Sequence, residues 1–287
     1  MSDAPRAYRS ALYIPGSKPR ALDKARGLAC DAILFDLEDA VTPDEKENAR
    51  ETLVAALKEG GYGSRALIVR VNGFDTPWGR DDVAALDGLT LDGVLLPKVS
   101  SRGDVEELAA AAPADVPLWA MMETPLGMLN AAEIAAHPRM AGFVMGTNDL
   151  VKELNCRTPA DRAPLITGLQ LCLLAARAHG LVALDGVYNK YLDEDGLRAE
   201  CEQGRDMGFD GKSLIHPAQL AIANEAFAPS DDEIELARRQ IAAFEEVEAS
   251  GQGVAVVDGK IVENLHVATA KSLLAKADAI AALASAQ

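Results

Sequence analysis

Eight short apolar runs, separated by stretches of helical spacing, restrict this chain more than any other feature. They are "ALYIPG" (11–16), "AILFDLED" (32–39), "ALIVRVNG" (66–73), "GVLLPKV" (93–99), "LWAMMET" (118–124), "GFVMGTND" (142–149), "LVALDGVY" (181–188) and "GKSLIHP" (211–217). Most are continuously apolar rather than alternating, as parallel strands buried on both faces should be. The intervening segments, such as "PDEKENARETLVAALKEG" and "SRGDVEELAAAAP", put apolar residues on one helical face and charges on the other. Eight strand-plus-helix units within residues 11–217 predict an α/β fold, a (β/α)8 TIM barrel. A doubly wound open sheet would produce much the same alternation.

Beyond the eighth unit the pattern changes. "SDDEIELARRQIAAFEEVEAS" reads as a helix with a Ser/Asp start, "GVAVVDGKIVE" as a hairpin turning at Asp258-Gly259, and the stretch from Asn264 onward as a last helix. The expected organisation is a barrel domain over residues 1–228 and an appendage over 229–287 that serves as lid, oligomer contact or both. The formal net charge of −16 argues against nucleic acid and anionic membrane as partners. No apolar segment approaches the roughly 18 residues that span a bilayer, and "MSDAPRAYRS" lacks an apolar leader core. Cys30, Cys156, Cys172 and Cys201 show no metal-type spacing and read as reduced core thiols. The cytoplasm is the expected location.

Barrel enzymes place their chemistry where strands end. In chain order those ends carry Pro15-Gly16, Asp36 to Asp39, Arg70 to Gly73, Lys98, Glu123-Thr124, Asn148-Asp149, Asp185 and His216. Glu123 and Asp149 close neighbouring strands about 4.8 Å apart, so they could converge on one cation; Mg²⁺ is held by one or two carboxylates with substrate oxygens and waters. Alternatively each acid caps the next helix or pairs with a base. Arg70, a cation inside an apolar strand, must meet an anion, either Glu38 or Asp36 next door or a ligand oxyanion. The "PGSKPR" turn brings Lys18 and Arg20 to a helix start, which suits phosphate. His216, restrained by the following proline, is structural or a ligand contact. No H-x-x-H, H-E-x-x-H, G-x-S-x-G, P-loop or strand-borne G-x-G-x-x-G pattern occurs.

Taken together, "RSALYIPGSKPRALDKA", "DAILFDLEDAVTPDEKENAR", "VRVNG", "LLPKV", "METPLG", "GTNDL" and "GKSLIHPAQ" resemble the citrate lyase β subunit family of CoA-ester lyases, within the HpcH/HpaI aldolase superfamily. That family includes malyl-CoA, β-methylmalyl-CoA and citramalyl-CoA lyases and a malyl-CoA thioesterase, and the likeness runs in order along nearly the whole chain. It implies a TIM barrel whose C-terminal extension reaches a neighbouring subunit in homotrimers or homohexamers. It further implies Mg²⁺, with Mn²⁺ as a substitute, on Glu123 and Asp149, and a substrate-binding role for Arg70. Glu38 and Asp39 match an acidic pair near that arginine. Tyr13, Lys18, Arg20, Lys212 and His216 match the segments that hold CoA.

The resemblance implies retro-Claisen cleavage of a malyl-CoA-type thioester to acetyl-CoA or propionyl-CoA and an α-keto acid. Its alternatives are hydrolysis of (3S)-malyl-CoA to malate and CoA, or a citrate lyase β subunit acting on an acyl-carrier thioester. One residue departs from the lyase pattern. The tail segment "GKIVENLHV" puts Glu263 where lyases often carry an aspartate, and the extra methylene would move the carboxylate by roughly 1 Å, enough to alter a rate strongly.

Overall fold

A computed structural model describes residues 6–249, 251 and 253–286 of the chain. Eight parallel strands form a closed barrel: β1 Ser10–Pro15, β2 Ala32–Asp36, β3 Ala66–Arg70, β4 Gly93–Leu96, β5 Leu118–Met122, β6 Met140–Met145, β7 Val182–Asp185 and β8 Gly211–Leu214. The pairing of β8 with β1, Ala11 opposite Ser213 and Leu12 opposite Leu214, closes the ring and excludes the open sheet. Each strand falls within or beside an expected run but stops sooner. Beyond Asp36, for instance, Leu37 and Glu38 turn away to bond the Arg70 carbonyl and the Asp36 side chain.

The continuously apolar runs are explained by two cores. Alternate residues point inward, where Ala11, Leu34, Ile68, Leu95, Trp119, Met121, Val144 and Leu184 fill the barrel. Their neighbours, including Leu12, Ile33, Phe35, Val69 and Phe143, point outward and are covered by helices. Trp119 is the largest inward residue, and it fits because Gly93 and Gly142 flank it. A Cβ on Gly142 would lie 2.3 Å from Trp119 Cζ3, and one on Gly93 2.4 Å from Cδ1. The tryptophan also packs against Tyr8, with ring centroids 5.6 Å apart. This packed floor leaves open space only toward the strand ends.

The barrel makes up one compact unit, Tyr8–Phe227; the other combines Arg6 and Ala7 with the described residues from Ala228 onward. In the second unit the helices Asp231–Ala249 and Asn264–Ala286 flank an antiparallel hairpin, β9 Ala255–Val257 and β10 Lys260–Val262. Ser230 and Glu233 exchange capping hydrogen bonds at the first helix start. Asp258 and Gly259 both have positive φ, +49° and +73°, as a tight hairpin turn requires. Phe244, Ala255, Val257, Val262 and Val267 form this unit's own core.

Replacing Gly142 by alanine should destabilise the chain by about 2 kcal/mol or more, because the added methyl must displace an indole that has no free space. Urea denaturation of the purified variant measures this; an unchanged midpoint would mean that Trp119 is not confined as described.

Candidate active site

The acids that crowd the end of β2 are held by one arginine. Asp36 and Arg70 are register partners on β2 and β3, and both are buried, at 1% and 7% exposure. Arg70 Nε donates to Asp36 Oδ1 at 2.8 Å and Nη2 to Oδ2 at 2.6 Å, a bidentate pair. Nη1 lies 3.0 Å from Glu38 Oε2 and 3.6 Å from Asp39 Oδ2. The Tyr13 ring covers the guanidinium, 4.9 Å from centroid to Cζ. Burial opposes charge on Arg70, but Asp36, Tyr13 and Glu38 outweigh it and hold the group well above its ordinary pKa. The structure thus shows the pairing considered for Arg70, with Asp36, and places the same side chain in the lining of a cavity.

The loop after β2 is fixed by cations from further along the chain. Lys46 Nζ donates to the carbonyls of Leu37 and Glu38 at 2.9 and 2.6 Å, and Asn72 Nδ2 donates to the Leu37 carbonyl at 2.9 Å. Lys98 Nζ donates to Glu38 Oε1 at 3.1 Å. Burial raises the Glu38 carboxyl above its usual range, against the pull of Arg70 and Lys98. Lys98 was not among the expected site residues. It has left-handed backbone, φ +53°, at a cost on the order of 1–2 kcal/mol. That geometry aims its amide at Glu123 Oε1, 2.8 Å away, while its side chain reaches Glu38.

Glu123, just after β5, is 1% exposed. Thr124 behind it caps the helix Pro125–Leu129, accepting from Gly127 N–H at 3.0 Å, so the strand-to-helix turn is rigid. Gly146 leaves the room Glu123 needs: a Cβ there would lie 2.3 Å from Glu123 Oε2. Asp149 sits in the first turn of the helix Thr147–Leu154, whose N-cap is Gly146 without a side-chain cap. The capping alternative for Asp149 is therefore not what the structure shows. Burial, with Asp149 adding to it, pushes the Glu123 carboxyl up to about 7. Tyr13, Asp36, Asp39, Arg70, Glu123 and Asp149 all line one cavity of about 350 Å³, with Met121, Met145 and Val187 as apolar wall.

Charge counting shows what this cavity can accept. Counted as ionised, five carboxylates at the mouth (Asp36, Glu38, Asp39, Glu123 and Asp149) outnumber three cations (Lys46, Arg70 and Lys98) by two, and of these eight Asp36, Asp39, Arg70, Glu123 and Asp149 line the cavity. Two oxygen donors on rigid turns, one raised in pKa by burial, fit a hard divalent cation that completes its shell with water or ligand oxygens. Among the described residues no group of three or more His, Cys, Asp or Glu side chains is placed to hold a metal ion.

The other expected residues are placed as follows. Lys18 and Arg20 are exposed at the start of the helix Pro19–Ala25. His216 is exposed, accepts from Ala218 N–H at 3.2 Å, and stacks on Tyr191 with centroids 4.6 Å apart. None of these three lines the cavity, although Ile215 does. Glu263 belongs to the C-terminal unit, where it is exposed and its amide donates to His266 Nδ1 at 3.1 Å.

Lys212 is a correction. It is 0% exposed, and its ammonium donates to Asp185 Oδ2 at 2.9 Å and to Glu200 Oε1 at 2.6 Å. It lies between β8 and the helix Glu194–Met207 and cannot reach a CoA phosphate. Burial disfavours charge on Asp185, but Lys212 and Arg162 outweigh it and hold its carboxyl below the usual range.

Fold and mouth together define a TIM barrel whose strand ends gather carboxylates and an arginine at one cavity. Residues 9–217 match the HpcH/HpaI aldolase/citrate lyase family. The chain is 71% identical over 275 residues to a (3S)-malyl-CoA thioesterase of Cereibacter sphaeroides, covering 96% of each. It is 32% identical over 307 residues to an L-malyl-CoA/beta-methylmalyl-CoA lyase of the same species, again covering 96% of each. Among solved structures it resembles the protein CitE of Mycobacterium tuberculosis in complex with magnesium, acetoacetate and coenzyme A. The TM-score is 0.79 and the identity 31%, covering 95% of this chain and 98% of that one. The chain belongs to the HpcH/HpaI aldolase/citrate lyase family.

Two predictions follow from the electrostatics. Asp36→Asn should cost about 3–5 kcal/mol in urea denaturation, since it leaves a buried guanidinium short of its counter-charge; Arg70→Met in the same chain should recover part of that loss. Glu123 binds a proton more tightly folded, at about 7, than its ordinary 4.5. Its contribution to stability is therefore complete below 4.5 and is lost as pH rises through 7. In metal-free protein Glu123→Gln, which keeps an acceptor for the Lys98 amide, should gain on wild type by up to about 3 kcal/mol between about pH 5 and about pH 8. A pH-independent difference would refute the burial assignment.

Proposed function

We propose that the chain is a Mg²⁺-dependent enzyme of malyl-CoA-type thioesters that hydrolyses (3S)-malyl-CoA to malate and free CoA. The resemblance by itself favours carbon–carbon cleavage first and hydrolysis second. The observation that reverses this order is the 71% identity to a thioesterase, against 32% to a lyase, at equal coverage. Glu123 and Asp149 would hold the ion, as the chemistry of the donor pair suits, and the similar CitE structure is a complex with magnesium and coenzyme A. Bound there, Mg²⁺ would supply a Lewis acid for substrate oxygens.

The remaining steps fall to the chain's own side chains. Arg70, immobilised by Asp36 and Tyr13, would orient the malyl carboxylate and stabilise negative charge as it develops. Glu38, whose carboxyl burial raises above its usual range, would take a proton, with Asp39 beside it at the solvent side. Water oxygen bonds to the thioester carbon, its proton passes to the carboxylate, the C–S bond breaks, and the departing thiolate is protonated. Lys18, Arg20 and His216 would meet the CoA moiety outside the cavity. Glu263 would act from a neighbouring subunit of a homotrimer or homohexamer. No helix among the described residues is long and apolar enough to cross a membrane, in keeping with a substrate that diffuses in water.

The test is product analysis of (3S)-malyl-CoA with Mg²⁺, following free thiol and keto acid in parallel. Free CoA without glyoxylate is expected; glyoxylate with acetyl-CoA would assign cleavage instead, and no turnover of any free CoA ester would favour an acyl-carrier substrate. Glu123→Gln and Asp149→Asn should each weaken Mg²⁺ binding by at least about tenfold in calorimetry while the circular dichroism spectrum stays unchanged. Unaltered metal affinity in both removes the assignment of the ion.

A further inference from the structure

Lys98 stands just beyond β4 in a left-handed conformation, φ +53°. Glycine adopts that region freely and asparagine with little difficulty, whereas a lysine gains nothing from it. A turn by itself would therefore be better served by another residue. A strained residue persists only where its surroundings hold it, and here the segment that follows is clamped. Asn130 Nδ2 donates to the Ser100 carbonyl at 2.8 Å, and the Ser100 and Thr124 hydroxyls are 2.8 Å apart. The Ser100 and Ser101 amides donate to Asp104 Oδ2 at 2.8 and 2.9 Å. Gly127 lets the helix Pro125–Leu129 approach closely, since a Cβ there would lie 2.3 Å from the Val99 carbonyl oxygen.

These contacts join the Lys98 turn to the segment that bears Glu123. Thr124 follows Glu123 directly, and the Lys98 amide donates to Glu123 Oε1 at 2.8 Å. Glu38 belongs to a different segment, the loop after β2, whose Glu38 and Ala40 amides are anchored on the Asp36 carboxylate. The Lys98 side chain crosses from one segment to the other. Glu38 Oε2 accepts from the Asp39 amide at 3.0 Å and lies 3.0 Å from Arg70 Nη1. Its Oε1 accepts from Lys98 Nζ at 3.1 Å. Of these three donors, Lys98 is the one that is also bonded to Glu123.

The ammonium does this from outside. Lys98 lines two hollows on the outer side of the mouth, together with Gly73, Asp75 and Pro97, and is not among the residues that line the cavity. Its side chain is half exposed, and an ion pair of that kind adds little to stability. What it fixes is the place of the Glu38 carboxylate, which is 12% exposed. We propose that Lys98 is a positioning residue for the hydrolysis, whose left-handed turn and ammonium together hold Glu38 at a set distance from Glu123. This rests on the reading above that Glu38 takes a proton, and a carboxylate displaced by about 1 Å can slow such a step strongly.

Lys98→Met keeps the side-chain length and the amide to Glu123 while removing the charge. With (3S)-malyl-CoA and Mg²⁺, its kcat should fall at least about tenfold at nearly unchanged KM. Lys98→Gly should lose as much, and Lys98→Arg, which restores a cation, should recover most of it. Two measurements do not depend on turnover. Calorimetric Mg²⁺ affinity should not weaken in Lys98→Met, because the amide stays and a charge that competes for Glu123 is gone. Hydrogen exchange of the Asp39 amide, which donates to Glu38, should quicken at least about tenfold.

Wild-type kcat in Lys98→Met and Lys98→Gly, with Glu38→Gln impaired, overturns the role of Lys98 and leaves the reading above standing. Wild-type kcat in Glu38→Gln removes that reading and the proposal with it. Mg²⁺ affinity that falls in step with kcat would make Lys98 a support of Glu123 alone and overturns the link to Glu38, as does unchanged exchange at Asp39.

Discussion

The bidentate pair between Asp36 and Arg70 is the contact on which the mouth of this barrel depends. Adjacent parallel strands bring the two residues level, and the pair is nearly sealed from water. Such a pair is a poor source of net stability, because desolvation offsets most of its Coulombic gain. What it supplies is position. With Asp36 held, the amides of Glu38 and Ala40 bond back to its carboxylate, and the whole acidic loop takes one conformation. With Arg70 held, its charge stays at the cavity floor, where a flexible lysine would swing into solvent.

Around that pair the charges remain deliberately out of balance. Lys46 and Lys98 neutralise part of the acid cluster, and Lys98 gives up ordinary backbone geometry to touch both Glu123 and Glu38. The surplus is two negative charges when all the carboxyls are ionised, and Glu123, whose pKa burial pushes up to about 7, carries one of them. Fixed charges of this kind favour a cation without rearrangement, which is what electrostatic preorganisation means. The proposed hydrolysis draws on the same imbalance: the ion and Arg70 for developing charge, Glu38 for a proton.

Much of this was readable before any coordinates. The strand ends named Glu123, Asp149, Arg70 and Glu38 as residues to watch, since a barrel displays its chemistry there, and the structure brings them to one mouth. Lys98 stood among the strand ends without an assigned role, because nothing in "LLPKV" announces a left-handed backbone. Lys212 misled for a related reason: one charge in a short strand segment looks the same whether it faces a ligand or lies beneath a helix. Arg162, deep in a quartet with Asp185, Lys212 and Glu200, carried no signal at all, since its partners Asp185, Glu200 and Gln203 are 23 to 41 residues away.

The amino-acid sequence alone determined the alternation of strand and helix, the two-sided burial of each strand and the list of polar strand ends, because these depend on local periodicity and on apolar groups avoiding water. Only the tertiary structure decided that the sheet closes, that Asp36 takes Nε and Nη2 of Arg70 and leaves Nη1 to Glu38, and that Lys212 is shut away beneath a helix. Those outcomes depend on which distant side chains arrive within about 3 Å of one another, and ring closure and helix packing set that distance.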